Sequence, residues 1–159
     1  MSDSEILLWL FILNLGIACG AGLYETCLVL PLWFDRPPMG GGYLVNGEAM
    51  QRLDSGRKFW AFVTTGPLTL LTLANLVAAW QSDGPQQGWW LGAGLVILLE
   101  RVGTFWFFIP TAIRFGQVGR LSPPAVSRLV ARWVALNHVR TALTVLGWLS
   151  ALRALTLIS

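Results

Sequence analysis

Among the polar side chains inside otherwise apolar stretches of this 159-residue sequence, six could carry out chemistry near one another. They are Glu25, Glu100, Arg101, Asn137, His138 and Arg140. A carboxylate or an imidazole in such a place can act as a general base, and a guanidinium can hold an anionic or polarised oxygen. If these stretches lie in lipid, each charge costs about 2.5–3.5 kcal/mol on insertion scales, which makes its owner a candidate for function.

Two interpretations of this polar set follow from its charges. The two glutamates are opposite in charge to the two arginines, so two ion pairs would explain all four as structural groups that hold helices together. Histidine is the commonest general base in enzymes, and ion pairing among the other four residues does not require His138. The second interpretation is therefore a pocket, whose predicted catalytic residues are Glu25, Asn137, His138 and Arg140.

The predicted ligand-binding residues are Glu100, Arg101 and Trp106. An arginine can bind a phenolate, an enolate, a quinone carbonyl or a lipid phosphate. Trp106 lies in the aromatic run 105–108, which would suit a flat apolar ligand, although such residues more often face lipid or pack in a core. We predict no metal site and no cofactor, because two carboxylates and one histidine are too few for a di-iron site and the arginines would repel a cation.

The composition indicates which elements position these residues. Hydrophobic residues make up 55% of the chain and charged residues 12%, with a mean hydropathy of +0.61. Soluble domains contain about 25% charged residues, so an ordinary soluble enzyme is excluded. Apolar runs cover 6–32, 59–80, 89–113 and 133–158, and about 20 residues suffice to cross a bilayer. The predicted fold is all-α, a transmembrane four-helix bundle forming one domain over residues 1–159.

The loops between these runs predict an orientation. The connections from run 1 to run 2 and from run 3 to run 4 carry eight lysines and arginines, whereas the turn 81–88 and the N-terminal tail carry none. The positive-inside rule then places both long loops in the cytoplasm and both termini outside, in an inner or plasma membrane. The net charge of +3 is spread over these loops without a dense basic run, so nucleic acid is not a predicted partner.

This orientation also predicts the depth of the polar residues. Glu25, Asn137, His138 and Arg140 would lie in the inner half of the membrane, with Glu100 and Arg101 close in depth, so the six form one cluster that opens toward the cytoplasm. Neighbouring residues point about 100° apart on a helix. At least one of Glu100 and Arg101 is therefore expected to pair with another helix.

Three short stretches form a recognisable pattern. They are Tyr24-Glu25 with Leu30-Pro31-Leu32-Trp33, Phe59-Trp60-Ala61-Phe62 with Gly66-Pro67, and Trp133 with Asn137-His138-Val139-Arg140-Thr141. The pattern resembles the anthrone-oxygenase-like family of small four-helix membrane proteins. Fungal members of that family are linked to the oxidation of polyketide anthrones to anthraquinones without an evident cofactor. The resemblance implies that Glu25, Asn137 and Arg140 match the polar motif of the family.

Three functional classes follow from the sequence. The first is a cofactor-independent oxygenase or oxidoreductase that acts on a hydrophobic phenolic, anthrone- or quinone-like molecule. The second is a non-enzymatic subunit or assembly factor of a larger membrane complex. The third is a small proton-coupled transporter that uses Glu25 or Glu100. The expected partners are the lipid bilayer and a hydrophobic small molecule, and either a second copy of the chain or a membrane-complex partner stays open.

Overall fold

The computed structural model describes residues 2–36, 42–52, 59–116 and 122–158. Within these ranges the chain forms four long helices: α1 (Asp3–Trp33), α3 (Trp60–Gln81), α4 (Gln87–Phe115) and α5 (Pro123–Thr156). The first long loop contains a short helix, α2 (Gly47–Arg52), and the strands β1 (Phe34–Asp35) and β2 (Leu44–Val45), which pair antiparallel. The predicted all-α four-helix bundle is confirmed, and the two-residue strands were not expected.

The helices α1, α3 and α4 are long and apolar enough to cross a membrane, and the protein is a membrane protein. Large apolar side chains such as Leu13, Leu70 and Leu99 are exposed along them, as expected for side chains that face lipid. α5 is longer than its predicted span because it begins at Pro123, which suits the first turn of a helix. That α5 also spans the bilayer stays a prediction. Part of the predicted loop charge, on Arg57, Lys58 and Arg120, lies outside the described residues.

Each of α1, α3 and α4 contains a π-helical segment that ends two residues before a proline. The segments are Glu25–Val29, Trp60–Thr65 and Thr104–Phe108, and the prolines are Pro31, Pro67 and Pro110. In all three, the residue before the proline donates its backbone N–H to the carbonyl five residues back. Proline lacks an N–H and clashes with the carbonyl four residues back, so a wider turn accommodates it.

One backbone carbonyl that a proline leaves without its helical donor accepts a hydrogen bond from another helix. Pro67 cannot donate to the carbonyl of Val63, and the Asn14 side-chain amide donates to that oxygen instead, at 2.9 Å. Farther along the same two helices, Asn75 donates to the Leu7 carbonyl at 3.3 Å and accepts from the indole N–H of Trp90 on α4 at 2.9 Å. These hydrogen bonds fix α3 against α1 and α4 where apolar packing alone has no direction.

Two apolar clusters lie at opposite ends of the bundle. The cluster near the chain termini comprises Leu8, Phe11, Ile12, Leu15, Ala18, Leu68, Ala79, Trp90, Ala93, Ile97, Ala151 and Ala154. The cluster near the long loops comprises Leu30, Phe34, Phe108, Phe115, Val126, Val130 and Trp133. Between these two sets in the sequence lie the buried polar residues Glu25 on α1, Glu100, Arg101 and Thr104 on α4, and Asn137 and Thr144 on α5. The bundle therefore holds a polar layer between two apolar ends.

Close approach of α4 and α5 needs a residue without a side chain. A Cβ added at Gly147 would lie 2.5 Å from the Ile97 side chain, a distance that real Cβ atoms essentially never show. Gly147 therefore lets Ile97 pack directly against the α5 backbone. This contact sets the spacing of the two helices that carry the polar layer next to it.

Candidate active site

The centre of the polar layer is the guanidinium of Arg140 on α5. Its Nη2 donates to the Glu25 carboxylate at 2.9 Å, and its carbon lies 4.5 Å from the ring centroid of Phe108 and 5.3 Å from that of Trp60. A cation over an aromatic face is attracted by the ring quadrupole, more strongly when water is excluded. One residue from each π-helical segment thus contacts Arg140.

Burial makes the Glu25–Arg140 pair chemically important. The two side chains are only 8% and 14% exposed, respectively. Arg140 carries five N–H donors, and this carboxylate is the one hydrogen-bond acceptor that the described residues provide for it. The guanidinium can therefore neutralise Glu25 and still present N–H groups to a second, ligand oxygen.

Asn137 lies one turn before Arg140 on α5 and is fully buried. Its Nδ2 donates to the Thr26 hydroxyl at 2.8 Å, and that hydroxyl donates to the Gly22 carbonyl at 2.7 Å. Because the single hydroxyl proton of Thr26 is used on Gly22, Thr26 can only accept from Asn137. This chain of bonds fixes the amide orientation and leaves the Asn137 Oδ1 buried without a partner.

Glu100 and Arg101 form a second buried pair on α4, and the prediction that one of them pairs with another helix is wrong. The Arg101 Nε and the Thr104 hydroxyl, both on the same helix, donate to the Glu100 carboxylate, the latter at 3.0 Å. Both side chains are long enough to bend across the 100° between them. Within the described ranges, no hydrogen bond or ion pair joins this pair to Glu25 or Arg140. The polar layer thus contains two centres instead of one cluster.

The predicted places of His138 and Trp106 also need correction. His138 is exposed on α5 and makes no hydrogen bond or ion pair with any described residue, because it points away from the face that carries Asn137. Trp106 is 85% exposed, whereas Phe108 from the same aromatic run is buried against Arg140. The side of α4 that faces the site is therefore the Phe108 side, and Trp106 lies on the side that faces lipid.

Thr26 and Trp60 were not predicted as site residues, and Phe108 was predicted only as a member of the aromatic run 105–108. Trp60 and Phe108 belong to π-helical segments, where the side-chain directions depart from the α-helical period used to assign faces. The available signal was the proline two residues beyond each segment. Nothing in the sequence distinguishes Thr26 from the many other threonines of the spans. No group of three His, Cys, Asp or Glu residues that could hold a metal ion is found in the described part of the chain.

Comparison with known protein families identifies a match for this chain. The family model described as Anthrone oxygenase matches residues 58–150. The chain belongs to the anthrone oxygenase family. The resemblance predicted from the short motifs is thereby confirmed. No curated protein and no solved structure matches the chain significantly.

The region shared with the anthrone oxygenase family contains most of the site. It includes Trp60, Phe108, Asn137 and Arg140, whereas Glu25 lies before the first matched residue. The acidic partner of Arg140 therefore comes from a part of the chain that the family match does not cover. The geometry of the buried pair links that part to the family region.

Proposed function

We propose that this member of the anthrone oxygenase family is a cofactor-independent oxygenase that acts on a hydrophobic phenolic, anthrone- or quinone-like molecule. The observation that carries the proposal is the buried Glu25–Arg140 pair with its two aromatic neighbours. The carboxylate is a base in a site that excludes water. The free N–H groups of Arg140 suit an oxygen that becomes negatively charged during the reaction.

The reaction that fits these groups begins with proton removal. Glu25 takes a proton from the ligand's methylene carbon, and the electron pair moves onto the conjugated carbonyl oxygen, where Arg140 binds the enolate. Dioxygen adds to the carbanion, and the peroxide takes the proton back from Glu25. Loss of water from this hydroperoxide leaves a new carbonyl group. One dioxygen thus supplies the new carbonyl oxygen and one water molecule.

Asn137 has a different role in this proposal from the one its residue type suggested. Asn137 was predicted as a catalytic residue, but its Nδ2 donates to Thr26 and its buried atom without a partner is the acceptor Oδ1. An acceptor oxygen would repel an enolate. Arg140 is therefore the oxyanion-binding residue, and Glu25 is the base in place of the exposed His138.

The first test uses the wild-type protein purified in mild detergent. With anthrone in air, we expect anthraquinone to form faster than in matched micelles without protein, with one dioxygen consumed per anthraquinone. Absorbance reports the product, and an oxygen electrode reports the uptake. A rate equal to the spontaneous oxidation of anthrone in the micelles would contradict the proposed activity.

The same proposal includes the orientation of the protein, with both long loops in the cytoplasm and both termini outside. Asp83 lies in the exposed turn 82–86 and Glu48 in the first long loop. In a background with Cys19→Ala and Cys27→Ala, we expect a membrane-impermeant maleimide to label Asp83→Cys in intact cells. Glu48→Cys should react only after the cells are permeabilised. The reverse pattern would overturn the orientation.

A further inference from the structure

Several buried polar atoms of the bundle have no hydrogen-bond partner among the described residues. Of the six buried side-chain atoms without a hydrogen-bond partner in the described residues, three belong to Trp33, Trp133 and Asn137. Trp133 is 5% exposed and Asn137 is fully buried. These two residues lie four apart on α5, on one face and about 6 Å along the helix axis. Buried polar atoms are nearly always paired, so two orphans on one face indicate a missing group.

The chemistry of the missing group follows from the two orphan atoms. The Trp133 indole nitrogen is only a donor, so it needs an acceptor oxygen. The Asn137 Oδ1 is only an acceptor, and the Thr26 hydroxyl holds the amide in that orientation, so it needs a proton. A hydroxyl group satisfies both atoms, since it accepts one hydrogen bond and donates another. A carbonyl, an ether or a carboxylate does not satisfy Asn137.

Aromatic rings pack around the Trp133 indole. The Trp133 ring lies 5.0 Å from Phe108 and 5.3 Å from Phe115, both edge to face, and 6.3 Å from Phe107. Phe108 also lies under the Arg140 guanidinium. The orphan atoms are therefore continuous with the candidate active site, in surroundings that favour a flat aromatic body.

We propose that Trp133 and Asn137 form a subsite that recognises a phenolic hydroxyl group of the aromatic ligand. The indole N–H donates to the hydroxyl oxygen, and the hydroxyl proton is donated to the Asn137 Oδ1. The inference rests on the proposed function and assigns its specificity to two residues: Trp133 and Asn137 favour a hydroxylated ligand over its unhydroxylated and alkylated counterparts. Rejection of an analogue without the hydroxyl follows because both protein atoms then stay unpaired.

Three stable probes separate the two hydrogen bonds. 2-Hydroxyanthraquinone offers a donor and an acceptor, 2-methoxyanthraquinone offers only the acceptor, and anthraquinone offers neither at that position. Their dissociation constants are measured by quenching of tryptophan fluorescence with the full-length protein in lipid nanodiscs. For each variant, the ratio of the dissociation constants of two probes is calculated. A given probe partitions into lipid equally with every variant, so partitioning cancels when these ratios are compared between variants.

For the wild-type protein, we expect 2-hydroxyanthraquinone to bind about tenfold more tightly than 2-methoxyanthraquinone, which binds more tightly than anthraquinone. In Trp133→Phe, 2-methoxyanthraquinone should no longer bind more tightly than anthraquinone. In Asn137→Leu, 2-hydroxyanthraquinone should no longer bind more tightly than 2-methoxyanthraquinone. Trp148→Phe is the matched control, because its indole N–H is also buried without a partner but its ring packs against the cluster near the termini. It should leave all ratios unchanged.

Several other results would overturn the proposed subsite. Equal wild-type affinities for the three probes, or ratios that Trp133→Phe leaves unchanged, would overturn the subsite and leave the proposed function standing. An equal shift in Trp148→Phe would also overturn it. If none of the probes binds to the wild-type protein, the proposed ligand class fails and the subsite fails with it. Trp133→Phe keeps an aromatic ring in the core, so this variant tests the subsite even if Asn137→Leu does not fold.

Discussion

Glu25→Gln is expected to lower the turnover of anthrone by about 10²–10⁴-fold, the contribution typical of a positioned general base. The glutamine side chain has the same shape and can still accept the hydrogen bond from Arg140, which lies 2.9 Å from the carboxylate. It cannot remove a proton from the ligand. The measurement is the rate of anthraquinone formation above the rate in micelles without protein. Binding of a product analogue should change much less than turnover.

Glu100→Gln is the comparison variant for this experiment. Glu100 is also buried and paired with an arginine, but its partners are on its own helix. If the base is Glu25, Glu100→Gln should retain most of the turnover while Glu25→Gln loses it. Full activity in Glu25→Gln would show that another group removes the proton. Equal losses in both variants would show that the two buried pairs act as one site.

The sequence was sufficient for the helices because lipid restricts the choice of structure. A chain with apolar runs of this length must pair its backbone groups internally, and helices do so without partners. The same argument identified Glu25, Asn137 and Arg140, since a polar side chain in such a run requires a partner or a function. These three residues lie together in the structure, in two hydrogen-bonded links between α1 and α5.

Faces and partners were harder to predict because the helices do not keep one period. An α-helical wheel cannot assign sides correctly across the π-helical segments that precede Pro31, Pro67 and Pro110. Trp106 and Phe108 illustrate this: both belong to one aromatic run, and only Phe108 contacts Arg140. A proline inside an apolar run could have indicated the altered turn. The direction that each side chain then takes depends on the neighbouring helix, which a single sequence does not specify.

His138 shows a second limit of residue type as a guide. An imidazole inside an apolar run is a reasonable candidate for a base, yet His138 is exposed on α5. The adjacent Asn137 is fully buried. Adjacent residues on a helix point about 100° apart, so His138 and Asn137 cannot both face the site. Asn137 is the one that does.

Arg140→Ala is expected to destabilise the folded protein by about 3–5 kcal/mol, because it leaves the Glu25 carboxylate buried without its counter-charge. The contacts with Trp60 and Phe108 are lost as well. The measurement is the unfolding transition of the purified protein in one detergent, followed by loss of helical circular dichroism. Turnover should fall at the same time, since no other described side chain presents N–H groups to the enolate at this position.

A double variant separates the orphaned charge from the lost packing. If the destabilisation comes from the unpaired carboxylate, Glu25→Ala combined with Arg140→Ala should be clearly more stable than the sum of the two single effects predicts. Arg140→Lys is the companion variant: it keeps the positive charge near Glu25 and should retain more stability, but a lysine lacks the planar fork of donors and should not restore turnover. Additive effects in the double variant would mean that the pair contributes no coupling, and that Arg140 acts on stability through its aromatic neighbours alone.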